Sequence, residues 1–298
     1  MSAAIIQNPI VNGWYADPEA RKYEDRYYIW VTGSKVRNNM DAFSSDDLVH
    51  WKKHEAVIAM EEFPHVHKCV WAPTTIEKNG KYYLIFATND IHSDDEPGGL
   101  ELAVADRPEG PYHACLPGRL VGEFHNGAQP IDAHLFKDDD GTVYLYYGGW
   151  SHCNVCRMKD DMTGLQPLED GSDEYFREIT PEDYVEAPCM IKYRGMYYFM
   201  WSAGDWTRGT YHVNYCASDS PISGFKSATN VLSAQLPLAE GPGHHGFIYL
   251  EERDEFLIAY HRRIPGDTVP GHRVLCLDKM SVHDGMIDPV IMTRSFEL

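Results

Sequence analysis

The chain is short of positive charge. Its 298 residues include 26 Lys and Arg against 45 Asp and Glu, which leaves a formal net charge of −19. Binding to the phosphate backbone of a nucleic acid needs a basic surface, and no basic cluster occurs in the sequence. Nucleic acid is therefore not an expected partner, whereas a neutral or cationic ligand is compatible with this composition.

Long apolar runs are also absent. Nowhere do about 18 apolar residues follow one another, so no membrane-spanning helix is expected. The N-terminal stretch MSAAIIQNPIVNGWYADP has no basic region followed by an apolar core and does not resemble a secretory signal. The 7 cysteines are odd in number and lack the spacing of a disulfide framework. These features together favour a reducing, cytoplasmic location.

Two stretches resemble metal motifs but lack partner ligands. Cys153 and Cys156 form a C-x-x-C pair, and a zinc site of that kind needs a second pair that the chain does not supply. His65, His67 and Cys69 are close in sequence but do not follow a known ligand spacing. Neither stretch is predicted to bind a metal.

Aromatic, β-prone runs are what the sequence does contain. Five such runs recur, each bounded by Gly or Asp, and no convincing amphipathic helix lies between them. They repeat with a period of about 60 residues, which is typical of the blades of a β-propeller. We therefore expect an all-β fold, a single five-bladed β-propeller over residues 1–298. The runs are RYYIWVTGS (26–34), KYYLIFATND (81–90), VYLYYGGW (143–150), MYYFMWSAGDW (196–206) and EFLIAYHRR (255–263).

Short turns precede three of these runs. Lys78-Asn79-Gly80, Asp139-Asp140-Gly141 and Arg194-Gly195 carry the residues that tight hairpins require. Each turn is predicted to form a hairpin that leads into the run after it.

A polar or aromatic residue stands at nearly the same distance before each run. The first strand of every propeller blade lines the central channel, so residues at equal phase form a ring around one axis. Acidic residues near turns also commonly bind loop amides, but three at one phase of a fivefold repeat favour a shared site. We expect the ring to lie at one end of the channel. Its members are Asp17, Trp71, Asp132, Glu186 and His244.

Carboxylates held apart on a rigid scaffold suit glycoside hydrolysis. One carboxyl must donate a proton to the leaving oxygen while another, ionised, activates water or attacks the sugar. A third carboxylate nearby can raise the pKa of the acid. Aromatic side chains stack on sugar faces, so Trp71 and Trp206 are predicted to bind substrate, and Trp150 and Trp201 are further candidates.

The sequence resembles glycoside hydrolase family 43, whose members share a five-bladed β-propeller. The resemblance covers essentially the whole chain and rests on five short motifs in the right order and phase. They are WYADP (14–18), VWAPTTIEKNGKYYLIF (70–86), IDAHLFKDDDGTVYLYYG (131–148), VEAPCMIKYRGMYYFMWSAG (185–204) and GPGHHGFIY (241–249).

The resemblance implies a role for each carboxylate. Asp17 matches the general base, Glu186 the general acid, and Asp132 the residue that orients the acid and tunes its pKa. The family inverts anomeric configuration, so base and acid should lie about 6.5–9.5 Å apart. Ala187 departs mildly from the pattern, since many relatives have Gly after the acid.

The resemblance also implies contacts beyond the carboxylates. His244 matches a channel histidine that in many members faces a bound calcium, often through water. Because His245 follows it, either histidine could face the channel, and His244 is favoured. Arg273 matches a basic residue that reaches the sugar in exo-acting members.

The expected activity is exo-hydrolysis of terminal α-L-arabinofuranosyl residues from short plant-derived oligosaccharides. β-Xylosidase activity is the alternative on the same carboxylates. Two other classes stay open: a propeller that binds sugar without cleaving it, and a glycoside phosphorylase. The phosphorylase needs a basic phosphate pocket, for which Arg262, Arg263 and Arg273 are the candidates. Oligomeric state is not predicted.

Overall fold

A short strand, β1 (Ile5–Gln7), leads into a series of antiparallel sheets that follow one another along the chain. The computed structural model describes residues 4–34 and 38–298. Blade 1 consists of β2 (Glu19–Tyr23), β3 (Arg26–Ser34), β4 (Asn39–Ser45) and β5 (Lys52–His54). Blade 2 consists of β6 (Val70–Lys78), β7 (Lys81–Thr88), β8 (Gly99–Ala105) and β9 (His113–Ala114).

Three further blades complete the series. Blade 3 has β10 (His134–Lys137), β11 (Val143–Tyr147), β12 (Asn154–Met158) and β13 (Leu165–Gln166), and β14 (Arg177–Glu178) also pairs with β12. Blade 4 has β15 (Glu186–Tyr193), β16 (Met196–Ala203), β17 (His212–Ser218) and β18 (Thr229–Leu232). Blade 5 has β19 (Glu240–Leu250), β20 (Glu255–Arg263) and β21 (Arg273–Met280). The hairpin β22 (Val282–His283) with β23 (Met286–Ile287), and then β24 (Ser295–Glu297), follow.

The first strands of the blades form a closed ring. They contact one another in the order β2, β6, β10, β15, β19 and again β2. Helical structure in the described residues is limited to two 3-10 segments, Met60–Glu62 and Glu251–Arg253, and neither could cross a membrane. The predicted all-β, five-bladed propeller is therefore confirmed.

The second strands form the core because both of their faces are buried. Successive side chains on a strand point to opposite sides, so each second strand packs against the preceding and the following blade. This explains why the aromatic runs are continuously apolar. The five interfaces, from blades 1 and 2 round to blades 5 and 1, contain the pairs Trp30 and Phe86, Ile85 and Leu145, Tyr146 and Phe199, Tyr198 and Ile258, and Leu257 and Ile29.

The predicted hairpins join first and second strands. Lys78 pairs with Lys81 across Asn79-Gly80, whose φ angles of 56° and 73° are those of a type I′ turn. Arg194-Gly195 makes the same connection in blade 4, and the longer turn of blade 3 contains the predicted Asp139–Gly141.

The N-terminal segment closes the ring of blades. β1 pairs with β24, and the residues after β1 run along the outer edge of β21. Ile10 N donates to Leu275 O at 3.0 Å, and Tyr15 N donates to Arg273 O at 2.8 Å. An edge strand with open hydrogen-bonding groups is thereby covered. The same contact brings the start of blade 1, and with it Asp17, against Arg273 of blade 5.

A backbone distortion recurs where each inner strand begins. One residue per blade adopts a positive φ, a conformation that residues other than glycine rarely take. Register shifts interrupt the pairing at this point in blades 2, 4 and 5, and such bulges redirect neighbouring side chains. The five residues are Asp17 (54°), Ala72 (43°), Asp132 (54°), Ala187 (58°) and His244 (38°).

The five residues of the predicted ring occupy two adjacent backbone positions in this repeat. Asp17, Asp132 and His244 occupy the positive-φ position itself, whereas Trp71 and Glu186 lie one residue earlier. Glycine adopts this conformation without strain. The backbone at Ala187 therefore accounts for the glycine that the family resemblance led us to expect after the acid.

Candidate active site

The bulges bring four of the predicted residues together at one end of the channel. His244 Nδ1 lies 3.6 Å from Asp17 Oδ1 and 3.5 Å from Asp132 Oδ2, so one histidine separates two carboxylates. Glu186 lies close enough to Asp132 for its negative charge to raise the pKa of Asp132. Three carboxyl groups from blades 1, 3 and 4 thus share one buried pocket, as the phase of the repeat predicts.

Asp17 is surrounded by groups that stabilise its charge. Arg273 Nη1 donates to Asp17 Oδ1 at 2.9 Å, and the Thr32 hydroxyl donates to the other carboxylate oxygen. The Asp17 N–H donates to His261 Nδ1 at 3.2 Å. Burial alone would raise the pKa of Asp17, but Arg273, His244 and His261 together lower it well below its usual range. Asp17 is therefore ionised throughout the neutral pH range.

Asp132 and Glu186 have the opposite tendency. Burial raises the pKa of Asp132 well above its usual range, and the charges of Glu186 and Asp17 add to this effect. Burial also raises the pKa of Glu186, to about 7, although a hydrogen bond from the Tyr211 hydroxyl to Glu186 Oε1, 2.8 Å long, opposes the rise. Two neighbouring buried carboxyls cannot both ionise easily. The pair consequently retains a proton near neutral pH.

Of the two adjacent histidines, His244 faces the carboxylates. Its backbone N–H donates to Ser202 Oγ at 2.9 Å, which holds the bulge in place. His245 is buried on the other side of the strand and packs edge-on against Phe247, with ring centroids 5.2 Å apart. Neither ring nitrogen of His245 has a hydrogen-bond partner among the described residues. The geometry thus agrees with the preference for His244.

Comparison with known proteins is consistent with this geometry. The chain matches the family model for glycosyl hydrolases family 43 over residues 6–287. It belongs to glycoside hydrolase family 43. The protein is therefore a glycoside hydrolase by family, with a carbohydrate as its substrate class.

Family 43 relatives carry several activities. The chain is 37% identical to a β-D-galactofuranosidase of Aspergillus niger, over 96% of this chain and 85% of the relative. It is 29% identical to a β-xylosidase of Xylanibacter ruminicola, over 85% of this chain and 89% of the relative. An α-L-arabinofuranosidase structure from Clostridium thermocellum superimposes with a TM-score of 0.74 at 27% identity, covering 94% of each chain. A thermostable family 43 hydrolase shares the fold at a TM-score of 0.80 and 24% identity, covering 96% of each chain.

Two of the predicted substrate-binding residues of this family 43 protein, Arg273 and Trp206, lie beside Asp17. The Arg273 guanidinium that contacts Asp17 also lies over the Trp206 ring, 4.9 Å from its centroid, and Trp206 is 39% exposed. Trp71 is half-buried and packs against the interface of blades 2 and 3. Trp201 is 0% exposed in the interface of blades 3 and 4. The suggestion that Trp201 binds sugar is wrong, because its indole is a core side chain.

Two residues that sequence reasoning missed contact Glu186 and Asp17. Tyr211 donates to Glu186, and its ring stacks in parallel on His261, with centroids 5.7 Å apart and planes at 4°. His261 in turn accepts the N–H of Asp17. Tyr211 stands just before the third strand of blade 4 and has no counterpart at the repeated phase. His261 was visible only as a polar residue at the end of an otherwise apolar run.

Side chains of the stretches that resembled metal motifs contact other parts of the protein. Cys156 packs in the interface of blades 2 and 3 and Cys153 in that of blades 3 and 4, so the two thiols lie on opposite faces of the sheet. His65 Nε2 lies 2.7 Å from a carboxylate oxygen of Glu101. In the described part of the chain, no group of three or more His, Cys, Asp or Glu side chains could hold a metal.

Proposed function

We propose that this family 43 protein is an exo-acting, inverting hydrolase that releases terminal α-L-arabinofuranosyl residues from short plant-derived oligosaccharides. One observation carries the proposal: Asp17 and Glu186 line the same pocket, and their pKa values are displaced in opposite directions. Groups displaced in this way can serve as base and acid at the same pH. A binding protein would gain nothing from this pairing.

In the proposed reaction, Asp17 is the general base. It removes a proton from a water molecule whose oxygen attacks the anomeric carbon on the face opposite the leaving group. Glu186 gives its proton to the glycosidic oxygen as the bond from that oxygen to the anomeric carbon breaks. Arg273 keeps Asp17 charged and fixes its orientation until the water proton is transferred.

Asp132 acts through Glu186. It is 7% exposed, whereas Glu186 is partly exposed, so Glu186 is the member of the pair that substrate can reach. The N–H of Ala187, the residue after the acid, favours the charged form of Asp132. Because two nearby negative charges repel, Asp132 and Glu186 do not both ionise readily near neutral pH, and the pair keeps a proton that Glu186 can donate. His244 lies between Asp132 and Asp17 and separates their charges.

A second sugar is also a candidate substrate. The relative with 37% identity acts on β-D-galactofuranosides, and this favours β-D-galactofuranosidase activity as a second candidate. The two sugars share the stereochemistry of the furanose ring, and galactofuranose carries one more exocyclic carbon. A single pocket can therefore accept either ring. β-Xylosidase activity, named for the relative with 29% identity, is the remaining alternative.

The arginines considered for a phosphate pocket have other partners. Arg262 donates to Thr293 O at 3.0 Å, and Arg263 donates to Asp267 O at 2.6 Å. Arg273 contacts Asp17. Of the three, Arg262 and Arg263 bind backbone oxygens and Arg273 contacts Asp17, so they form no shared phosphate pocket, and this favours hydrolysis over phosphorolysis.

Calcium near His244 is a further prediction from the family. The described residues provide no direct ligand shell, and His244 Nδ1 already faces two carboxylates. A hard cation would have to be held mainly through water. The residues do not fit a directly bound metal, and none of the steps proposed above depends on one.

A panel of 4-nitrophenyl glycosides tests the proposal. It should include α-L-arabinofuranoside, β-D-galactofuranoside and β-D-xyloside, each assayed with and without phosphate. We expect the highest kcat/KM on the arabinofuranoside, no stimulation by phosphate, and initial release of the inverted anomer in a proton NMR time course. Retention of configuration, strict phosphate dependence or inactivity on every glycoside would contradict it.

A further inference from the structure

Trp150 is an exposed aromatic side chain that the proposed catalytic machinery does not use. It lies on the loop 148–153 between β11 and β12 and is 49% exposed. The rings of Phe124 and His92 pack against it, with centroid distances of 5.0 and 5.6 Å and interplanar angles of 46° and 41°. These neighbours support the indole and leave about half of its surface open to solvent.

The loop that carries Trp150 is tied to the segments that deliver two catalytic carboxylates. Gly148 N donates to Ile131 O at 3.0 Å, and Ser151 N donates to Val185 O at 3.1 Å. Ile131 and Val185 immediately precede Asp132 and Glu186. The Tyr184 hydroxyl also donates to Gly148 O at 2.6 Å. Trp150 is therefore fixed at the rim of the pocket on the side of the acid.

The conformation of the loop depends on one glycine. Gly148 has φ +146°, and a Cβ at this residue would lie 2.1 Å from His152 O. Trp150 and Ser151 both adopt positive φ, at 56° and 64°. Residues other than glycine take this conformation only when surrounding contacts impose it. The backbone that carries the indole is thus constrained before any ligand binds.

We propose that Trp150 is the platform for the sugar ring on the leaving-group side of the scissile bond. The inference rests on the proposed function, because Glu186 protonates the oxygen of that leaving sugar and so must lie beside it. Arg273 and Trp206 lie beside Asp17, where the terminal sugar that undergoes attack at its anomeric carbon would bind. A Trp ring binds the apolar face of a sugar ring by stacking. The occupant is the second sugar residue of a short oligosaccharide.

The test compares two substrates that need the same proton from Glu186 but differ in the leaving group. The first is methyl α-L-arabinofuranoside, which has no second ring, and the second is α-(1→5)-linked arabinotriose. If the glycoside panel favours xylose or galactofuranose, the corresponding methyl glycoside and trisaccharide replace them. Trp150→Ala should lower kcat/KM for the trisaccharide about tenfold, the loss of one aromatic contact, and leave that for the methyl glycoside unchanged. Trp150→Phe should restore part of the loss.

Two further measurements keep the outcomes distinct. Met196→Ala removes a comparably exposed apolar side chain at the hairpin of blade 4, at the other end of the channel. It should leave kcat/KM unchanged for both substrates. Calorimetry of the trisaccharide with Asp17→Asn, with and without Trp150→Ala, measures binding without turnover. Equal losses of kcat/KM on both substrates would contradict the proposed role of Trp150. Unchanged kcat/KM on both, together with unchanged binding of the trisaccharide, would also contradict it. A wild-type protein that binds the trisaccharide through Trp150 but cleaves no glycoside would instead contradict the proposed function.

Discussion

Asp17 and Glu186 lie in the same pocket under similar burial, yet their pKa values are shifted in opposite directions. Asp17 contacts a guanidinium and lies near two imidazoles, which outweigh the effect of burial. Glu186 receives one neutral hydroxyl, has Asp17 as a negative neighbour, and shares a proton with Asp132 near neutral pH. Both carboxyls are buried, so the difference in their pKa values comes from the charges of their nearest partners, and this difference suits the base and acid roles proposed for them.

The largest expected loss of activity follows from replacing Asp17. Asp17→Ala should reduce kcat by at least about a thousandfold on natural oligosaccharides and on 4-nitrophenyl glycosides alike, because both reactions need an activated water. Steady-state kinetics on the two substrates measures this effect. Thermal unfolding should show that the variant is folded. A loss confined to one substrate class would contradict the role of Asp17 as base.

The second effect depends on the substrate. Glu186→Ala should lose about a hundred- to ten-thousandfold on natural substrates, whose alcohol leaving group needs a proton. It should lose much less on 4-nitrophenyl glycosides, because nitrophenolate departs without protonation. Activity of the wild type should fall as pH rises through about 7, where Glu186 loses its proton, and this limb should vanish in the variant. Equal losses on both substrates would make the assignment of Glu186 as proton donor wrong.

Much of this comparison could be predicted from the sequence. The aromatic runs correspond to the second strands of the blades, and their period predicts the number of blades. Asp17, Asp132 and Glu186 precede their runs by nearly equal distances, which predicts that they lie at one end of the channel. The division of the ring into two positions could not be predicted, since it arises from a backbone bulge at non-glycine residues such as Ala72. The burial of Trp201 was also hidden, because a run with two buried faces contains core and pocket aromatics alike.

The supporting side chains escaped prediction for a different reason. Tyr211 precedes a third strand, and His261 ends a second strand, so neither recurs at the phase of the inner strands. Their contacts with Glu186 and Asp17 depend on how blades 4, 5 and 1 pack around the axis. Such packing is a property of the folded chain and leaves no periodic signal in sequence.

A smaller effect should follow when the second carboxyl of the pair is removed. In Asp132→Asn, Glu186 no longer shares a site with another ionisable carboxyl, so the pair's retained proton should be lost at lower pH and the pKa of Glu186 should fall. The alkaline limb of the profile of kcat/KM against pH should therefore move to lower pH. In the wild type, the alkaline limb reflects the coupled titration of Asp132 and Glu186 together and not that of one residue. The direction of its shift therefore tests the prediction. An upward shift would contradict the role given to Asp132.

The smallest effect, opposite in direction, is expected at Tyr211. Tyr211→Phe removes the hydroxyl that stabilises the ionised form of Glu186, so the pKa of the acid should rise and the alkaline limb should move to higher pH. The rate at lower pH should change by less than about tenfold, the effect of one hydrogen bond. Tyr197→Phe, which removes a hydroxyl bound to Asp138 in the hairpin region of blades 3 and 4, is the matched control. Identical pH profiles for the two variants would show that the Tyr211 hydroxyl does not affect the pKa of Glu186.

Direct titration of the carboxyl groups tests the central claim, the opposite protonation of base and acid. Carbon NMR of protein labelled at the Asp and Glu carboxyls, with resonances assigned through Asp17→Asn, Asp132→Asn and Glu186→Gln, follows each group across the pH range. We expect Asp17 to stay ionised down to strongly acidic pH and the Asp132 and Glu186 pair to release a proton near neutral pH, at about 7 for Glu186. Ordinary acidic titration of the pair, or a raised pKa at Asp17, would contradict the account.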